Sequence, residues 1–484
     1  MLSESKKINP NSGSDSKNHA DVQSFVQEGL SIQLLRDNLK GYVIAPEDAE
    51  YDAARTVAAG GIDRHPAVIV RAADAGDVAY VIALARETNL ELAVRSGGHS
   101  SAGHSVSEGG IVLDLRDMKG LDIDTEGGTA WAETGLTASE YTTAVGAYGL
   151  ATGFGDTGTV GIGGITLGGG VGYLVRKYGL TIDNLLAAEI VTADGKMLHV
   201  DAGNHPDLFW AIRGGGGNFG VATRFQFRLH KVKTIVGGML ILPATADTIA
   251  SFIAGADAAP EELSTIANIM PLPPMPFVAP EYHGKLVIMA FLAYAGDAEN
   301  GARAIAPFRA LAKPIADMVK PMPYPEMFPP EGGDYHPTAV ARSMFIDQVD
   351  RDTAKKIVDT LQSSDATLRV AQLRVLGGAV TRMAAGDTAY AHRKSRIMVN
   401  LAAFYNGPED RKVREAWVED FAAALYKGDS NVYMNFLGDE GAARVRDAYP
   451  GATWDRLTVI KAKYDPTNLF RLNQNIPPAG EVLA

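Results

Sequence analysis

The stretch RSGGHSSAGHS, residues 95–105, places two histidines among three glycines and four serines. It directly follows the apolar run Leu92-Ala93-Val94, which reads as a strand. Another strand is predicted over residues 67–70, and the apolar positions after Asp77, a predicted N-cap, indicate a helix between the two strands. Ligands of α/β sheets usually bind where loops leave the carboxyl ends of strands. The sequence therefore predicts a ligand-binding loop at residues 95–105.

Two common uses of such a loop fit the sequence poorly. His99 and His104 resemble a pair of metal ligands, but no third ligand lies near them in the sequence, so no metal site is predicted. Ser100 lies in a GxSxA pattern, and no helix start follows to form the nucleophile elbow of a hydrolase. His104 is therefore predicted to serve local structure.

The composition narrows the class of protein. The chain has 484 residues, is 46% hydrophobic and carries a formal net charge of -12, which favours small-molecule partners over nucleic acid. It contains no cysteine, which excludes disulfides, thiolate zinc sites and cysteine nucleophiles. No apolar run approaches about 18 residues, and residues 1–20 read as a polar, disordered tail rather than a secretory signal. We expect a soluble, cytoplasmic protein without membrane contacts.

Two further glycine clusters suggest contacts made by the main chain. Residues 161–172 carry almost no polar side chain, so they predict either a backbone cradle for a pyrophosphate or a tightly packed turn. Residues 215–220 match GxGxxG, but a helix precedes them and a strand follows, the reverse of a dinucleotide-binding motif. No P-loop pattern occurs. A Rossmann site is therefore not predicted.

The composition along the chain changes twice. Up to about residue 235, short strands alternate with glycine-rich loops, and Thr137 with Glu140 predicts a capping box. Proline- and alanine-rich segments begin near residue 236, and an aromatic, asparagine-rich composition returns after about 430. The strands predicted in the first part span residues 110–115, 130–133, 188–193, 196–200 and 221–230. We infer an N-terminal domain that the C-terminus completes, with a middle lobe inserted.

Several segments in a fixed order resemble one family, the FAD-linked oxidases of the vanillyl-alcohol oxidase / p-cresol methylhydroxylase (PCMH) superfamily, in particular the berberine bridge enzyme-like branch. The segments are RSGGHS (95–100), TVGIGG (159–164), GGG (168–170), RKYGL (176–180), DLFWAIRGGGGNFG (207–220), YDP (464–466) and FRLNQN (470–475). The resemblance implies an α+β, two-lobed FAD-binding fold of the PCMH type. Its FAD domain is expected over residues 21–235 and 430–484. The substrate domain, an antiparallel sheet covered by helices, is expected over residues 236–429.

The resemblance also implies which residues hold FAD. The family's GGHS histidine bonds covalently to the flavin 8α-methyl carbon, and His99 occupies that position. Many relatives add a second bond through a cysteine, which is replaced here by Thr157, so covalent attachment is expected through His99 only. The expected FAD contacts are Arg95, Ser96, Gly97, Gly98, His99, Ser100, Ser101, Thr159, Val160, Gly161, Gly163, Gly164, Gly168, Gly169, Gly172, Asn218, Gly220, Val221, Tyr464, Asn473 and Asn475.

Catalytic residues are expected in two places. Tyr433 and Asn435 match the family's Tyr-x-Asn signature, whose tyrosine is implicated as the base in alcohol- and sugar-oxidising relatives. A phenol near pKa 10 needs a cation or hydrogen bonds to lose its proton at neutral pH. Alkaloid-forming relatives carry a glutamate on a strand that matches residues 380–383, where this chain has Arg382. Arg382 is expected to bind an acidic substrate or polarise Tyr433, or to be a surface residue.

The resemblance implies an FAD-dependent oxidoreductase that takes a hydride from a C–OH or C–N carbon of a small molecule to flavin N5. A small residue at the position of Val160 is associated with access of O2 to the flavin, which favours an oxidase that releases hydrogen peroxide. The alternatives are a dehydrogenase with another electron acceptor and a flavin-binding protein without turnover. We expect a monomer or homodimer.

Overall fold

The computed structural model describes residues 31–328, 336–428 and 430–480. The predicted tail, residues 1–20, lies outside the described residues. The first elements are α1 (Ile32–Asn38), β1 (Tyr42–Ile44), α2 (Tyr51–Arg55), β2 (Val68–Arg71), α3 (Ala75–Thr88), β3 (Leu92–Arg95) and β4 (Ile111–Asp114). They form a four-stranded sheet in the order β1-β2-β4-β3, in which β4 pairs parallel to β2 and to β3. The 95–105 loop therefore leaves the carboxyl end of an edge strand, as predicted.

The cap of α3 differs from the sequence prediction. Asp74 has an extended backbone and accepts hydrogen bonds from the Gly76 and Asp77 amides, so it is the N-cap. Asp77 lies in the first helical turn and is buried, and its carboxylate accepts from the backbone N–H groups of Lys40 and Gly41. Asp77 thus fixes the segment before β1 to the helix, a tertiary contact that local sequence does not specify.

A second sheet completes the first lobe. Its elements are β5 (Leu121–Asp124), β6 (Thr129–Glu133), α4 (Ala138–Gly146), β7 (Leu150–Ala151), α5 (Ile162–Gly168), α6 (Val175–Tyr178), β8 (Leu185–Val191), β9 (Met197–Asp201), α7 (Pro206–Ala211), β10 (Val221–Arg228) and β11 (His230–Lys231). The five long strands run antiparallel in the order β5-β6-β10-β8-β9, and β11 pairs with β7. The capping box of Thr137 and Glu140 is confirmed at α4. The glycine-rich residues 162–168, predicted as a loop, form α5.

The middle lobe is one antiparallel sheet with helices on one face. Its elements are β12 (Ile235–Pro243), α8 (Ala246–Ala258), β13 (Leu263–Pro271), β14 (Leu286–Tyr294), α9 (Ala298–Arg309), β15 (Ala316–Asp317), β16 (Lys320–Met322), β17 (Ala339–Ile346), α10 (Arg351–Ser363), β18 (Arg369–Val375), α11 (Ala379–Arg382), β19 (Ile397–Phe404) and α12 (Gly407–Leu425). The strands lie in the order β15-β12-β14-β13-β18-β19-β17, and β16 also pairs with β12. One face of the sheet packs on α8, α9, α10 and α12 and forms a hydrophobic core with them. In β18, every second residue, Ala371, Leu373 and Val375, belongs to this core.

The C-terminal segment returns to the first lobe. Helices α13 (Ala442–Asp447) and α14 (Ala452–Tyr464) follow the middle lobe. Leu457 and Ile460 of α14 share a hydrophobic core with Trp210 of α7 and Phe225 of β10. The predicted α+β, two-lobed fold is confirmed: one lobe is built from both chain ends, and the sheet-and-helix lobe is inserted between them. Within the described residues, no helix is both long and apolar enough to cross a membrane.

Candidate active site

A cavity of about 460 Å³ opens between the two lobes. The 95–105 loop, the segment before α5 and the C-terminal residues 433–437 and 470–474 supply most of its wall, and β17 and β19 of the middle lobe supply Ala341 and Asn400. The chain segments that carry the family-like motifs therefore meet the inserted sheet at one place.

The structure brings many of the predicted site residues into the wall of this cavity. They are Ser96, Gly97, Gly98, His99, Ser100, Ser101, Val160, Gly161, Gly163, Gly164, Gly220, Val221, Tyr433, Asn435 and Asn473. The remaining predicted residues do not line it. They are Arg95, Thr159, Gly168, Gly169, Gly172, Asn218, Tyr464, Asn475 and Arg382.

One half of the cavity, which we call the glycine half, is built mainly of main chain. Gly97 and Gly161 approach so closely that a Cβ atom on either would overlap the backbone of the other. Ser96 holds the two segments together, because its hydroxyl donates to the Thr134 carbonyl oxygen (2.6 Å) and accepts from the Gly163 amide (3.3 Å). Backbone packed this tightly presents amide groups, rather than side chains, to a ligand.

Unsatisfied polar atoms in the glycine half fit a polar cofactor. Among the described residues, the Ser105 hydroxyl and the side-chain amide oxygen of Asn473 (Oδ1) are buried and have no hydrogen-bond partner. Both residues line the cavity. Leaving a buried polar atom unpaired costs about 1–3 kcal/mol, so such atoms usually meet a ligand or water. The donors and acceptors present here therefore fit FAD.

The two histidines of the opening loop both lie at the cavity. His99 Nε2 is 3.0 Å from the Thr159 hydroxyl, so Thr159 acts by fixing the imidazole rather than by lining the wall. His104, predicted to serve only local structure, also lines the cavity. Burial lowers the pKa of His104 to about 4, so its imidazole is uncharged at neutral pH.

Predicted residues outside the wall hold the loops in place. The Arg95 guanidinium donates to the Ser105 carbonyl oxygen (3.0 Å) and lies 3.6 Å from Asp114. Asn218 accepts from the Ile476 amide (2.9 Å) and so connects a glycine-rich turn to the C-terminus. Tyr464, the last residue of α14, donates to Asp207 of α7 (3.0 Å) and so connects these two helices. These residues do not line the cavity, but their hydrogen bonds connect the segments that do.

Tyr433 is the buried polar residue at the end of the cavity toward the middle lobe. Its hydroxyl oxygen accepts hydrogen bonds from the Gly170 amide (2.8 Å) and from the Asn435 side-chain amide (2.9 Å). Burial raises the pKa of Tyr433 to about 12, while these two donors and the charge of Arg374 act in the opposite direction. The phenol is therefore protonated at neutral pH, and its oxygen already carries the contacts that would stabilise a phenolate.

Of the alternatives expected for Arg382, the structure supports the surface position and not a role beside Tyr433. Residues 379–382 form the short helix α11 instead of the predicted strand. The Arg382 guanidinium is exposed and pairs with Glu261. Gly377 and Gly378 have φ values of 107° and 55°, which end β18 and turn the chain away from the cavity.

Arg374 of β18 supplies the cation that sequence reasoning missed. It is 4% exposed, donates to Asp156 (2.8 Å), to the side-chain oxygen of Gln372 (2.8 Å) and to the Val171 carbonyl oxygen (3.2 Å). Its guanidinium carbon lies 5.1 Å from the ring centre of Phe436, which lines the cavity. The alternation of polar and apolar residues in RVAQLRV, residues 369–375, is the signal that places Gln372 and Arg374 on the face opposite the helices.

Comparison with known proteins gives consistent matches over most of the chain. A family model described as an FAD binding domain matches residues 66–201, and one described as berberine and berberine like matches residues 432–477. The (R)-6-hydroxynicotine oxidase of Paenarthrobacter nicotinovorans is 31% identical over 461 residues, covering 92% of this chain and 98% of that protein.

Two solved structures show the same fold. The crystal structure of 6-hydroxy-D-nicotine oxidase from Arthrobacter nicotinovorans superposes with a TM-score of 0.81 at 27% identity, covering 91% of this chain and 98% of that one. The Physcomitrella patens BBE-like 1 protein superposes with a TM-score of 0.82 at 21% identity, covering 94% and 100% of the two chains.

Proposed function

The chain belongs to the berberine bridge enzyme-like branch of the FAD-linked oxidases and is an FAD-dependent oxidoreductase, and from that premise we propose that it oxidises a C–OH or C–N carbon of a small molecule with O2 as the electron acceptor. The hydrogen-bonded hydroxyl of Tyr433 at the cavity is the observation that carries the proposal. It gives the reaction a proton acceptor in the wall of the site.

The chain would hold FAD through the glycine half of the cavity, within a domain proposed to span residues 21–235 and 430–484. Gly97 and Gly161 would bring backbone amides to the diphosphate, and the Ser105 hydroxyl and Asn473 amide would pair with polar atoms of the cofactor. The cofactor, when bound, supplies a hydride acceptor at N5 and passes two electrons onward.

His99 is proposed as the covalent anchor. Its imidazole lines the cavity and is fixed by the Thr159 hydroxyl, so one rotamer faces the cofactor region. A neutral imidazole nitrogen is a competent nucleophile. Thr157 also lines the cavity and has no thiol, so a second tether is not proposed.

Tyr433 is proposed to take the proton of the oxidised heteroatom. Its oxygen accepts from Gly170 and Asn435. Its own proton is therefore the group that remains to contact a bound molecule. Both donors become stronger partners when the oxygen is ionised, and Arg374 adds a positive charge. The reactive form is the phenolate, formed when Tyr433 has released its own proton to solvent. As a hydride leaves the substrate carbon, the phenolate oxygen takes the proton from the substrate oxygen or nitrogen.

Val160 supports an oxidase over a dehydrogenase, since it lines the cavity with a small side chain. The O2 molecule would accept two electrons and two protons and leave as hydrogen peroxide. A dehydrogenase would differ in the last step alone.

A substrate panel tests the proposal. Purified protein is mixed anaerobically with alcohols, sugars and amines while flavin absorbance is followed, and air is then admitted. We expect a yellow protein that at least one compound bleaches, with rapid recovery of colour in air and one peroxide per flavin. Slow recovery would support the dehydrogenase, and a yellow protein that no compound bleaches would support binding without turnover. Acid precipitation that leaves all the flavin in solution would refute attachment to His99.

A further inference from the structure

We infer that the substrate presents an uncharged polar group, such as a hydroxyl or an amide, to the carboxamide of Asn400, and that the site selects neutral molecules over ions. This inference rests on the proposed function and names the substrate class of the same site. It comes from the half of the cavity formed by the middle-lobe sheet, Tyr433 and Phe436, which we call the sheet half.

Polar residues form a row across four neighbouring strands of this sheet. Ser343 of β17 pairs with Asn400 of β19, which pairs with Gln372 of β18, which pairs with Asn268 of β13. Directly opposite residues of antiparallel strands project from the same face. The row therefore lies on the face away from the helices, the face that β17 and β19 turn toward the cavity.

Members of this row differ in whether the protein satisfies them. Asn268 donates to the Met289 carbonyl oxygen (3.2 Å) and accepts from Gln372 (2.8 Å), which in turn accepts from Arg374. The side-chain amide oxygen of Asn400 (Oδ1) is buried without a hydrogen-bond partner among the described residues. Asn400, unlike Asn268, lines the cavity. Buried polar groups in proteins normally have hydrogen-bond partners, so an unsatisfied amide in a ligand cavity indicates a group that pairs with the ligand.

The electrostatics of the wall favour an uncharged ligand. The described lining residues include no lysine, arginine or glutamate, and their one carboxylate, Asp156, pairs with Arg374 at 2.8 Å. In the sheet half, Asp156 and Arg374 neutralise each other, so a charged substrate group brought there would lose its hydration without meeting a free counter-charge.

A carboxamide suits a neutral polar group because it both donates and accepts. Its oxygen can accept from a substrate hydroxyl or amide N–H, and its NH2 can donate to a substrate oxygen. A carboxylate could use only the NH2 group and an ammonium only the oxygen. Asn400 is thus proposed as the specificity-determining residue of the sheet half.

The first test compares two asparagines of the row by thermal unfolding of the holoenzyme. Asn400→Leu removes an unsatisfied group and should leave the melting temperature unchanged or raised. Asn268→Leu removes two hydrogen bonds and leaves the side-chain NH2 of Gln372 without its acceptor, so it should lower the melting temperature by several degrees. A decrease in Asn400→Leu equal to that in Asn268→Leu would show that the protein itself satisfies Asn400, which overturns the inference.

A second test uses ligands that share a ring and carry a neutral, a cationic or an anionic substituent. D-glucose, D-glucosamine and D-glucuronate share one ring, and benzyl alcohol, benzylamine and benzoate share another. Among compounds that perturb or bleach the flavin, the neutral member should bind at least about tenfold tighter than either ion. That preference should shrink in Asn400→Leu and turn toward the amine in Asn400→Asp.

Equal affinity for the ions, or a preference unchanged in Asn400→Leu, would overturn the inference while leaving an oxidase in place. If no compound of any kind bleaches the flavin, the proposed function fails, and the melting comparison still decides whether Asn400 is reserved for a ligand.

Discussion

The glycine half and the sheet half of the cavity are made in different ways. The glycine half uses the main chain of short glycine-rich segments, with Gly97 packed on Gly161. The sheet half uses side chains, such as those of Asn400 in β19 and of Tyr433 and Phe436 in the C-terminal segment. The difference teaches that the glycine half, the proposed cofactor site, tolerates little change in shape. In the sheet half, the proposed substrate site, single side-chain substitutions can change the groups presented to a ligand.

The largest expected effect comes from closing the glycine half. In Gly97→Ala, the new Cβ would overlap the Gly161 amide, which costs about 3 kcal/mol through forced backbone movement. We expect little or no bound flavin, measured by the ratio of absorbance at 450 nm to that at 280 nm. Gly386→Ala is the matched control, because its Cβ meets no protein atom within 4 Å and Gly386 does not line the cavity. Equal flavin content in Gly97→Ala and the wild type would show that the close approach is unimportant.

A second prediction concerns the group at the end of the sheet half. Tyr433→Phe removes the proposed base and should lower the anaerobic rate of flavin reduction by about 10²–10⁴-fold. The flavin should stay bound, because Tyr433 lies outside the glycine half. In the wild type this rate should rise with pH, since burial raises the pKa of Tyr433 to about 12 and the reactive form is the deprotonated one. The account of Tyr433 fails if Tyr433→Phe keeps both the rate and its pH dependence.

A third prediction separates the two arginines. Arg374→Gln leaves Asp156 in the wall without its cation and should destabilise the protein by about 1–3 kcal/mol. It should also slow flavin reduction, because the pKa of Tyr433 rises when a nearby positive charge is lost. Arg382→Gln, which removes an exposed ion pair with Glu261, should change stability by about 0.5 kcal/mol or less. Urea unfolding and stopped-flow reduction measure both variants, and equal effects would restore Arg382 to the site.

A fourth prediction concerns the pH dependence of stability in the glycine half. The folded-state pKa of His104 is lowered from 6.5 to about 4 by burial, so folding favours the neutral imidazole. Its contribution is fully present above pH 6.5 and is lost as the pH falls toward 4. Between pH 7.5 and 5 the free energy of unfolding should decrease by about 2 kcal/mol from this group. The decrease should be smaller by that amount in His104→Gln, measured by urea unfolding, and an identical pH profile would contradict the assignment.

The ease of prediction from sequence follows the same division. The glycine half was predictable because local patterns mark it: Gly97, His99 and Gly161 lie in short motifs that need no knowledge of distant contacts. The sheet half depends on strand register, which brings Asn268, Gln372 and Asn400 side by side although they are far apart in the chain. A lone asparagine in the apolar run of β19 was the available signal for Asn400.

Two differences between the sequence analysis and the structure have the same physical origin. Local rules favour Asp77 as the N-cap of α3, but its carboxylate accepts hydrogen bonds from the backbone N–H groups of Lys40 and Gly41 before β1. Asp74 caps α3 instead. Arg382 was placed on a strand, but two glycines with positive φ end that strand first, and Arg374 is the cation that faces the site. In each case a tertiary contact or a turn overrode a local pattern.

The most direct test of the account is a crystal structure of the holoenzyme with a neutral ligand. The account predicts electron density for FAD along Gly97 and Gly161, continuous with His99, and a ligand whose polar groups meet Tyr433 and Asn400. Density for FAD away from the glycine half, or a ligand that leaves the Asn400 carboxamide without a partner, would contradict it.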